Sequence, residues 1–120
     1  MTENISHKVG NAAYQNKDTH TIYEPIKRGI IEDWEKMEII WEHIFNELSL
    51  ETKNVNVLMT DSPFNTKSNR TKMAEYMFEK FKVKSFQVMN TAALSMYSTG
   101  KVSGLIAESG EGLSYTVPIF

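Results

Sequence analysis

The apolar residues between positions 34 and 48 recur at intervals of three and four residues. Charged side chains, mainly glutamates, occupy most of the positions between them. The apolar stripe consists of Trp34, Met37, Ile40, Trp41, Ile44, Phe45 and Leu48. This period predicts an amphipathic α-helix, and Asp33 stands where its N-cap is expected.

Shorter apolar runs follow and alternate with helical patterns. Residues 55–60 (VNVLMT) and 84–89 (KSFQVM) predict two short strands. Between them we expect a helix that Asn65 caps and that continues to about Phe81. The segment NTAALSMYSTG predicts a third helix that ends at Gly100, because glycine readily adopts the left-handed backbone of the C′ position. The last residues predict two strands joined by ESGEG.

The first 31 residues carry weaker signals. Residues 1–20 are polar and lack a clear period, which is typical of a surface arm. Residues 21–31 favour an edge strand or a turn, because Pro25 interrupts a β-branched run. We therefore expect a polar N-terminal arm (1–20) followed by one structured domain (21–120).

Strands that alternate with helices predict right-handed crossovers and a parallel sheet. Two parallel strands alone do not form a stable sheet with both faces covered. Either the segment is part of a larger fold, or another chain completes it.

Composition narrows the class of protein. With 120 residues, 41% hydrophobic and 23% charged, the chain has the composition of one globular domain. A net charge of −2 argues against direct nucleic-acid binding, and no apolar run approaches the roughly 20 residues of a membrane helix. There is no cysteine, and the three histidines lack the spacing of metal ligands, so no metal site is expected. The N-terminus lacks the pattern of a secretory signal, which favours the cytosol or the nucleus.

Longer motifs resemble the actin and actin-related protein family. They are PIKRGIIEDWEKMEIIW, VLMTDSPFNTKSNRTKM, MFEKF and AALSMYSTGKVSGLIAESGEGLSYTVPIF. The resemblance runs from about Val9 to the last residue and covers about a third of the family's chain. It implies a partial actin-like (ribonuclease H-like) α/β domain, with an incomplete sheet and flanking amphipathic helices. The parts implied are the later part of subdomain 2, the middle of subdomain 1 and the first hairpin of subdomain 3.

Within this resemblance, ESGEG matches the second phosphate loop of actin, an Asp-Ser-Gly-Asp-Gly sequence. The residues carried over are Glu108, Ser109, Gly110, Glu111, Gly112 and Leu113. Glycines let backbone N–H groups approach phosphate, and a short carboxylate holds the water shell of a divalent cation. Both glycines are present, but glutamates replace both aspartates. The alternative interpretation is a plain tight turn between antiparallel strands.

Two helper positions also depart from the family. Thr91 stands where active members have a glutamine that orients water, and Tyr115 stands where they have a histidine. The resemblance therefore implies a vestigial nucleotide loop kept as a turn, with no ATPase activity and no bound ATP or Mg²⁺.

The resemblance also implies partner proteins. Tyr97, Gly100 and Val102 match one wall of the cleft in which amphipathic helices dock onto actins. The alternative is a helix C-terminus packed on its own sheet. Glu35, Glu38 and Glu42 form an acidic helix face that is either solvated or meets basic partners.

We expect a non-catalytic structural subunit, a scaffold or adaptor within a multi-subunit cytoskeletal assembly. The abundance of Asn, Lys, Ile and Thr is typical of AT-rich genomes such as those of ciliates, which points to a cilium or axoneme. Two alternatives stay open: an ATP-binding actin piece that another chain completes, and a nuclear actin-related module of a chromatin-remodelling complex. No direct contact with nucleic acid or membrane is expected.

Overall fold

The computed structural model describes residues 7–120, which contain four α-helices, a short 3-10 helix (Thr52–Asn54), a π turn and three two-stranded sheets. The helices are α1 (Asn11–Gln15), α2 (Trp34–Glu47), α3 (Lys67–Glu75) and α4 (Thr91–Ser98). The strands are β1 (Ile26–Lys27), β2 (Ile30–Ile31), β3 (Asn56–Asp61), β4 (Ser85–Asn90), β5 (Gly104–Ser109) and β6 (Ser114–Ile119). The element types and their order over residues 33–120 agree with the sequence prediction.

The N-terminal segment has more structure than a polar arm implies. Residues 1–6 of the predicted arm lie outside the described residues, and residues 7–20 include the short helix α1. The predicted edge strand or turn at 21–31 is a small antiparallel hairpin, in which β1 pairs with β2 after Pro25.

Helix α2 begins where its sequence indicates. The carboxylate of Asp33 accepts a hydrogen bond from the backbone N–H of Lys36 at 3.1 Å, which confirms the predicted N-cap. Met37 and Trp41 are buried on the apolar face. At the end of the same stripe, however, Ile44 is 43% exposed and Leu48 is 60% exposed. The predicted apolar face is therefore covered only along its first two-thirds.

Strands β3 and β4 are parallel, as predicted, and pair from Asn56 with Ser85 to Asp61 with Asn90. Alternating side chains of both strands, including Val57 and Phe86, pack against the core. Leu58 points to the opposite face and is 57% exposed. Parallel sheets are normally covered on both faces. This pair is covered on one.

The N-cap of α3 differs from the prediction. Thr66, not Asn65, caps the helix, and its hydroxyl accepts the N–H of Asn69 at 3.2 Å. The side-chain oxygen of Asn65 instead accepts the N–H of Thr66 at 2.9 Å, and its amide group donates to the buried carboxylate of Asp61 at 2.6 Å. After Glu75 the helix widens into a π turn over Tyr76–Lys80.

The main core lies between α2, α3 and one face of the β3–β4 pair. Its buried members are Met37, Trp41, Met73, Met77 and Val83. Aromatic rings surround them at edge or tilted angles, with the Trp41 and Tyr76 centroids 5.9 Å apart and those of Trp41 and Phe81 6.2 Å apart. This core fixes the parallel strands and thereby the loops at their carboxyl ends.

Helix α4 carries the chain from the parallel pair to the C-terminal hairpin. Asn90 caps it by accepting the N–H of Ala92 at 2.9 Å, and Gly100 ends it with φ 76°, as predicted for C′. Strands β5 and β6 then pair antiparallel, from Gly104 with Ile119 to Ser109 with Ser114. The Cα radius of gyration is 16.6 Å. A compact domain of this length has about 13.6 Å, so the molecule is elongated.

Candidate functional site

The ESGEG segment divides between a strand and a turn. Glu108 and Ser109 are the last residues of β5, and residues 110–113 make the turn to β6. The N–H of Gly110 donates to the carbonyl of Leu113 at 3.0 Å, which closes the turn. Beside it, the hydroxyls of Ser109 and Ser114 lie 2.7 Å apart. The geometry is that of a hairpin turn between antiparallel strands.

The turn does not require its glycines. Neither Gly110 nor Gly112 has a positive φ. A Cβ added at Gly112 would meet no atom within 4 Å, and one at Gly110 would meet only the Leu113 carbonyl oxygen at 3.9 Å. The hairpin explains the turn, but it does not explain why glycine stands at these two positions.

Three of the four positions that depart from the family pattern, Thr91, Glu108 and Tyr115, are linked through contacts of Tyr115. Glu108 and Tyr115 are cross-strand partners, and the Tyr115 hydroxyl donates to the Glu108 carboxylate. The Thr91 hydroxyl lies 3.0 Å from the Tyr115 hydroxyl and 3.2 Å from the carbonyl oxygen of Asp61. The sequence placed Thr91 and Tyr115 at the same site, and the structure brings them within hydrogen-bond distance.

Ser95 is a fourth member of this cluster, and it was not predicted from the sequence. Its hydroxyl donates to the other oxygen of the Glu108 carboxylate. Ser95 lies one helical turn after Thr91 and therefore on the same face of α4. That spacing was the available signal, but the approach of Glu108 to this face depends on where the hairpin packs.

The electrostatics of Glu108 and Tyr115 follow from these contacts. Hydrogen bonds from Ser95 and then from Tyr115 lower the pKa of Glu108, since both donors stabilise its charged form. Burial raises the pKa of Tyr115, and its hydrogen bond to Glu108 raises it further. Around neutral pH the pair is thus an ionised carboxylate and a neutral phenol that donates to it.

The end of β3 lies beside this cluster. The buried Asp61 carboxylate accepts hydrogen bonds from Arg70 and Asn65, and its main-chain oxygen faces Thr91. The ring of Phe64, in the loop after β3, meets the Tyr115 ring edge-on with centroids 5.9 Å apart. The site therefore joins the carboxyl end of the parallel pair to the C-terminal hairpin.

The free edge of β3 borders an open cavity of about 1090 Å³. Within residues 7–120, β3 pairs only with β4. Apolar side chains line one end of the cavity, and the ESGEG turn with Asp61 and Thr91 lines the other. The apolar lining includes the exposed residues Ile44, Leu48, Leu50 and Leu58.

The predicted partner cleft lies at the other end of α4. Tyr97 is 49% exposed and Val102 is 73% exposed, with Gly100 on the surface between them. Leu105 of β5 is exposed as well. The side chains of Tyr97, Val102 and Leu105 therefore form an exposed apolar surface at this end of α4.

Other predicted surfaces remain ordinary solvent faces. On α2, Glu35 and Glu42 are exposed, and Glu38 pairs with Lys80. No helix in the described part of the chain is long and apolar enough to span a membrane.

Comparison with known proteins gives the family. The family model described as Actin matches residues 2–120. Actin-like protein 9 of Rattus norvegicus is 42% identical over 113 residues, which are 93% of this chain and 27% of that protein. The chain thus spans about a quarter of the length of this relative. Together with the α/β architecture, these matches confirm the predicted partial actin-like fold, and the chain belongs to the actin family.

Proposed function

We propose that this chain is a non-catalytic structural member of the actin family that acts as a scaffold or adaptor within a larger cytoskeletal assembly. The observation that carries the proposal is the edge of β3 that has no strand partner within residues 7–120 and borders a partly apolar cavity. A strand edge presents a row of backbone donors and acceptors that another strand can pair. Further polypeptide lying along this edge would complete the sheet.

The exposed side chains around the edge supply a driving force. Ile44, Leu48 and Leu58 are 43%, 60% and 57% exposed. Burying a whole leucine or isoleucine side chain is worth about 2 kcal/mol, so covering these three gives about 3 kcal/mol. Each net backbone hydrogen bond along the edge adds about 1 kcal/mol. The sum favours association of an extended segment with β3.

The absence of catalysis is proposed from the contacts of the substituted residues. Nucleotide hydrolysis in this fold needs a carboxylate free to hold the water shell of a cation and a side chain that orients water. Here each oxygen of Glu108 already accepts a hydroxyl of the same chain. Thr91 and Tyr115, at the helper positions, are engaged with each other. These contacts support a loop that no longer serves ATP and Mg²⁺.

The proposed setting is cytoskeletal, with the cilium or axoneme as the specific site. The exposed residues Tyr97 and Val102 would offer partner proteins a second contact surface, separate from the β3 edge. Imaging of a tagged copy distinguishes this setting from the nuclear alternative, in which the chain belongs to a chromatin-remodelling complex.

The test is affinity purification of the tagged chain from its native cells, comparing Leu58→Lys with the natural sequence. Leu58 is exposed, so the substitution should leave the chain folded but place a charge on the contact surface. We expect partner recovery to fall at least tenfold. The matched control is Tyr14→Lys, another exposed apolar residue outside the cavity, which should recover the partners normally.

Nucleotide content of the same preparations tests the catalytic half of the proposal. We expect no ATP or ADP that depends on Glu108. One nucleotide per chain, lost on Glu108→Gln substitution, would instead establish the alternative of an ATP-binding actin piece that another chain completes. Equal partner recovery by Leu58→Lys and the natural sequence would refute the role of the β3 edge.

A further inference from the structure

We infer that Thr91, Ser95, Glu108 and Tyr115 form a ligand-independent clasp that fixes the C-terminal hairpin to α4 and to the end of β3. The clasp is one hydrogen-bonded unit, so its members act together. All of these contacts lie within this chain, so the inference does not depend on the proposed partner.

Each hydroxyl proton of the clasp can be assigned to an acceptor. A carboxylate only accepts hydrogen bonds, so Tyr115 and Ser95 must each spend their single hydroxyl proton on Glu108. The proton between the Thr91 and Tyr115 oxygens must then come from Thr91. The same Thr91 proton also faces the Asp61 carbonyl, and the two contacts share it. Each hydroxyl proton in the clasp therefore has an acceptor within the chain.

The placement of the four residues gives the clasp its mechanical role. Thr91 and Ser95 belong to α4, Glu108 to the end of β5, and Tyr115 to the start of β6. In the part of the chain that the structure describes, β5 and β6 pair only with each other, so the hairpin is not part of the parallel sheet. Tyr115 reaches the sheet side through Thr91 and through the Phe64 ring. The clasp is thus a polar attachment between the hairpin and the rest of the domain.

It follows that the hairpin keeps its position without a nucleotide or a cation. Ser95 and Tyr115 each use one acceptor site of the Glu108 carboxylate, which has about four. The water shell of a cation would therefore share each oxygen with a charge-assisted hydrogen bond, which is among the stronger kinds. Because this carboxylate is directed at the chain's own donors, and Thr91 and Tyr115 contact each other, these residues fit an ATP–Mg²⁺ group poorly.

A double-mutant cycle tests whether the clasp acts as a unit. Thr91→Val and Tyr115→Phe each remove one hydroxyl and nearly keep the shape. Each single variant should raise the unfolding equilibrium constant by some factor. We expect the factor for the double variant to be about fivefold smaller than the product of the two single factors, which is within the range for residues in one network. The matched control is Thr71→Val, which removes a helix hydroxyl outside the clasp, bonded at 3.1 Å to the Lys67 carbonyl. Because Thr71 lies outside the clasp, the factor for Thr71→Val combined with Tyr115→Phe should equal the product of their two single factors.

Amide hydrogen exchange gives a second readout, because it reports local opening of the hairpin separately from global unfolding. In the natural chain, exchange over residues 104–119 should be the same with and without Mg–ATP. Tyr115→Phe should accelerate exchange there several-fold while leaving α2 unchanged; if that variant does not fold, Ser95→Ala, which removes one donor, takes its place. Independent effects of Thr91 and Tyr115, or slower exchange of the hairpin on addition of Mg–ATP, would overturn the clasp. Neither result would alter partner recovery by Leu58→Lys, so this inference and the proposed function fail separately.

Discussion

Replacing Gly112 by alanine should stabilise the protein, although the residue stands in a hairpin turn that looks as if it needs glycine. Its φ is not positive, and a Cβ at this position would meet nothing within 4 Å. The native backbone therefore accepts alanine without strain, while the unfolded chain loses conformational freedom. A compatible Gly→Ala change gains about 0.4–1 kcal/mol for this reason. In a chain of 120 residues that corresponds to an increase in Tm of about 2–4 °C.

Gly104→Ala is the opposite case within the same hairpin. Gly104 has φ 153°, and an added Cβ would lie 2.8 Å from the Cε of Met96. Because the backbone is in a region that suits glycine and the space is filled, we expect a loss of about 1–3 kcal/mol. Thermal unfolding followed by circular dichroism compares the two variants under identical conditions. A loss above about 1 kcal/mol for Gly112→Ala would mean that the turn does require glycine, and the argument from backbone geometry would be wrong.

Three further changes test the core, a cap and the charge at the site. Met77→Ala should cost about 2–5 kcal/mol of unfolding free energy, because Met77 is fully buried. Phe78→Ala should cost much less, because the neighbouring Phe78 is 46% exposed. Chemical denaturation measures both. Thr66→Ala should cost about 1 kcal/mol through loss of the α3 N-cap, in the same assay. Glu108 has a lowered folded pKa, so its stabilising effect is complete above its ordinary pKa and is lost as pH falls through the folded value. Unfolding at pH 7 and pH 3 should show a smaller acid loss in Glu108→Gln than in the natural sequence, and equal losses would refute this sign.

Periodicity was sufficient to predict the main helices and strands after residue 33, but not the short helix α1. The apolar stripe after Asp33 predicts α2, and the two short apolar runs predict β3 and β4, because both signals arise from local geometry. The same stripe could not show that Ile44 and Leu48 would remain exposed. A pattern shows which face of a helix is apolar, but how much of that face is covered depends on the neighbouring elements.

Side-chain contacts account for the differences. Asn65 and Thr66 are both good caps by residue type, but the Asn65 oxygen accepts the N–H of Thr66 while its amide group donates to Asp61. The acceptor of Ser95, Glu108, lies 13 residues away in the chain and is reached only once the hairpin packs on α4. Helical spacing puts Ser95 on the same face as Thr91, but it does not show which residue packs against that face.

Thr91, Glu108 and Tyr115 each differ from the residue that the family pattern has at that position. In the structure these three of the four substituted side chains complement one another. The longer Glu108 side chain reaches both Ser95 and Tyr115, and the Tyr115 phenol extends far enough to meet Thr91. Shortening Glu108 back to aspartate would withdraw the carboxylate by about 1.5 Å, roughly a C–C bond, from two donors that have no other partner of equal strength. Changing any one of these residues to the family residue should therefore weaken the hairpin attachment, because each side chain depends on another of the group for its hydrogen-bond partner. This mutual dependence is the physical reason to interpret the cluster as a structural element in its own right.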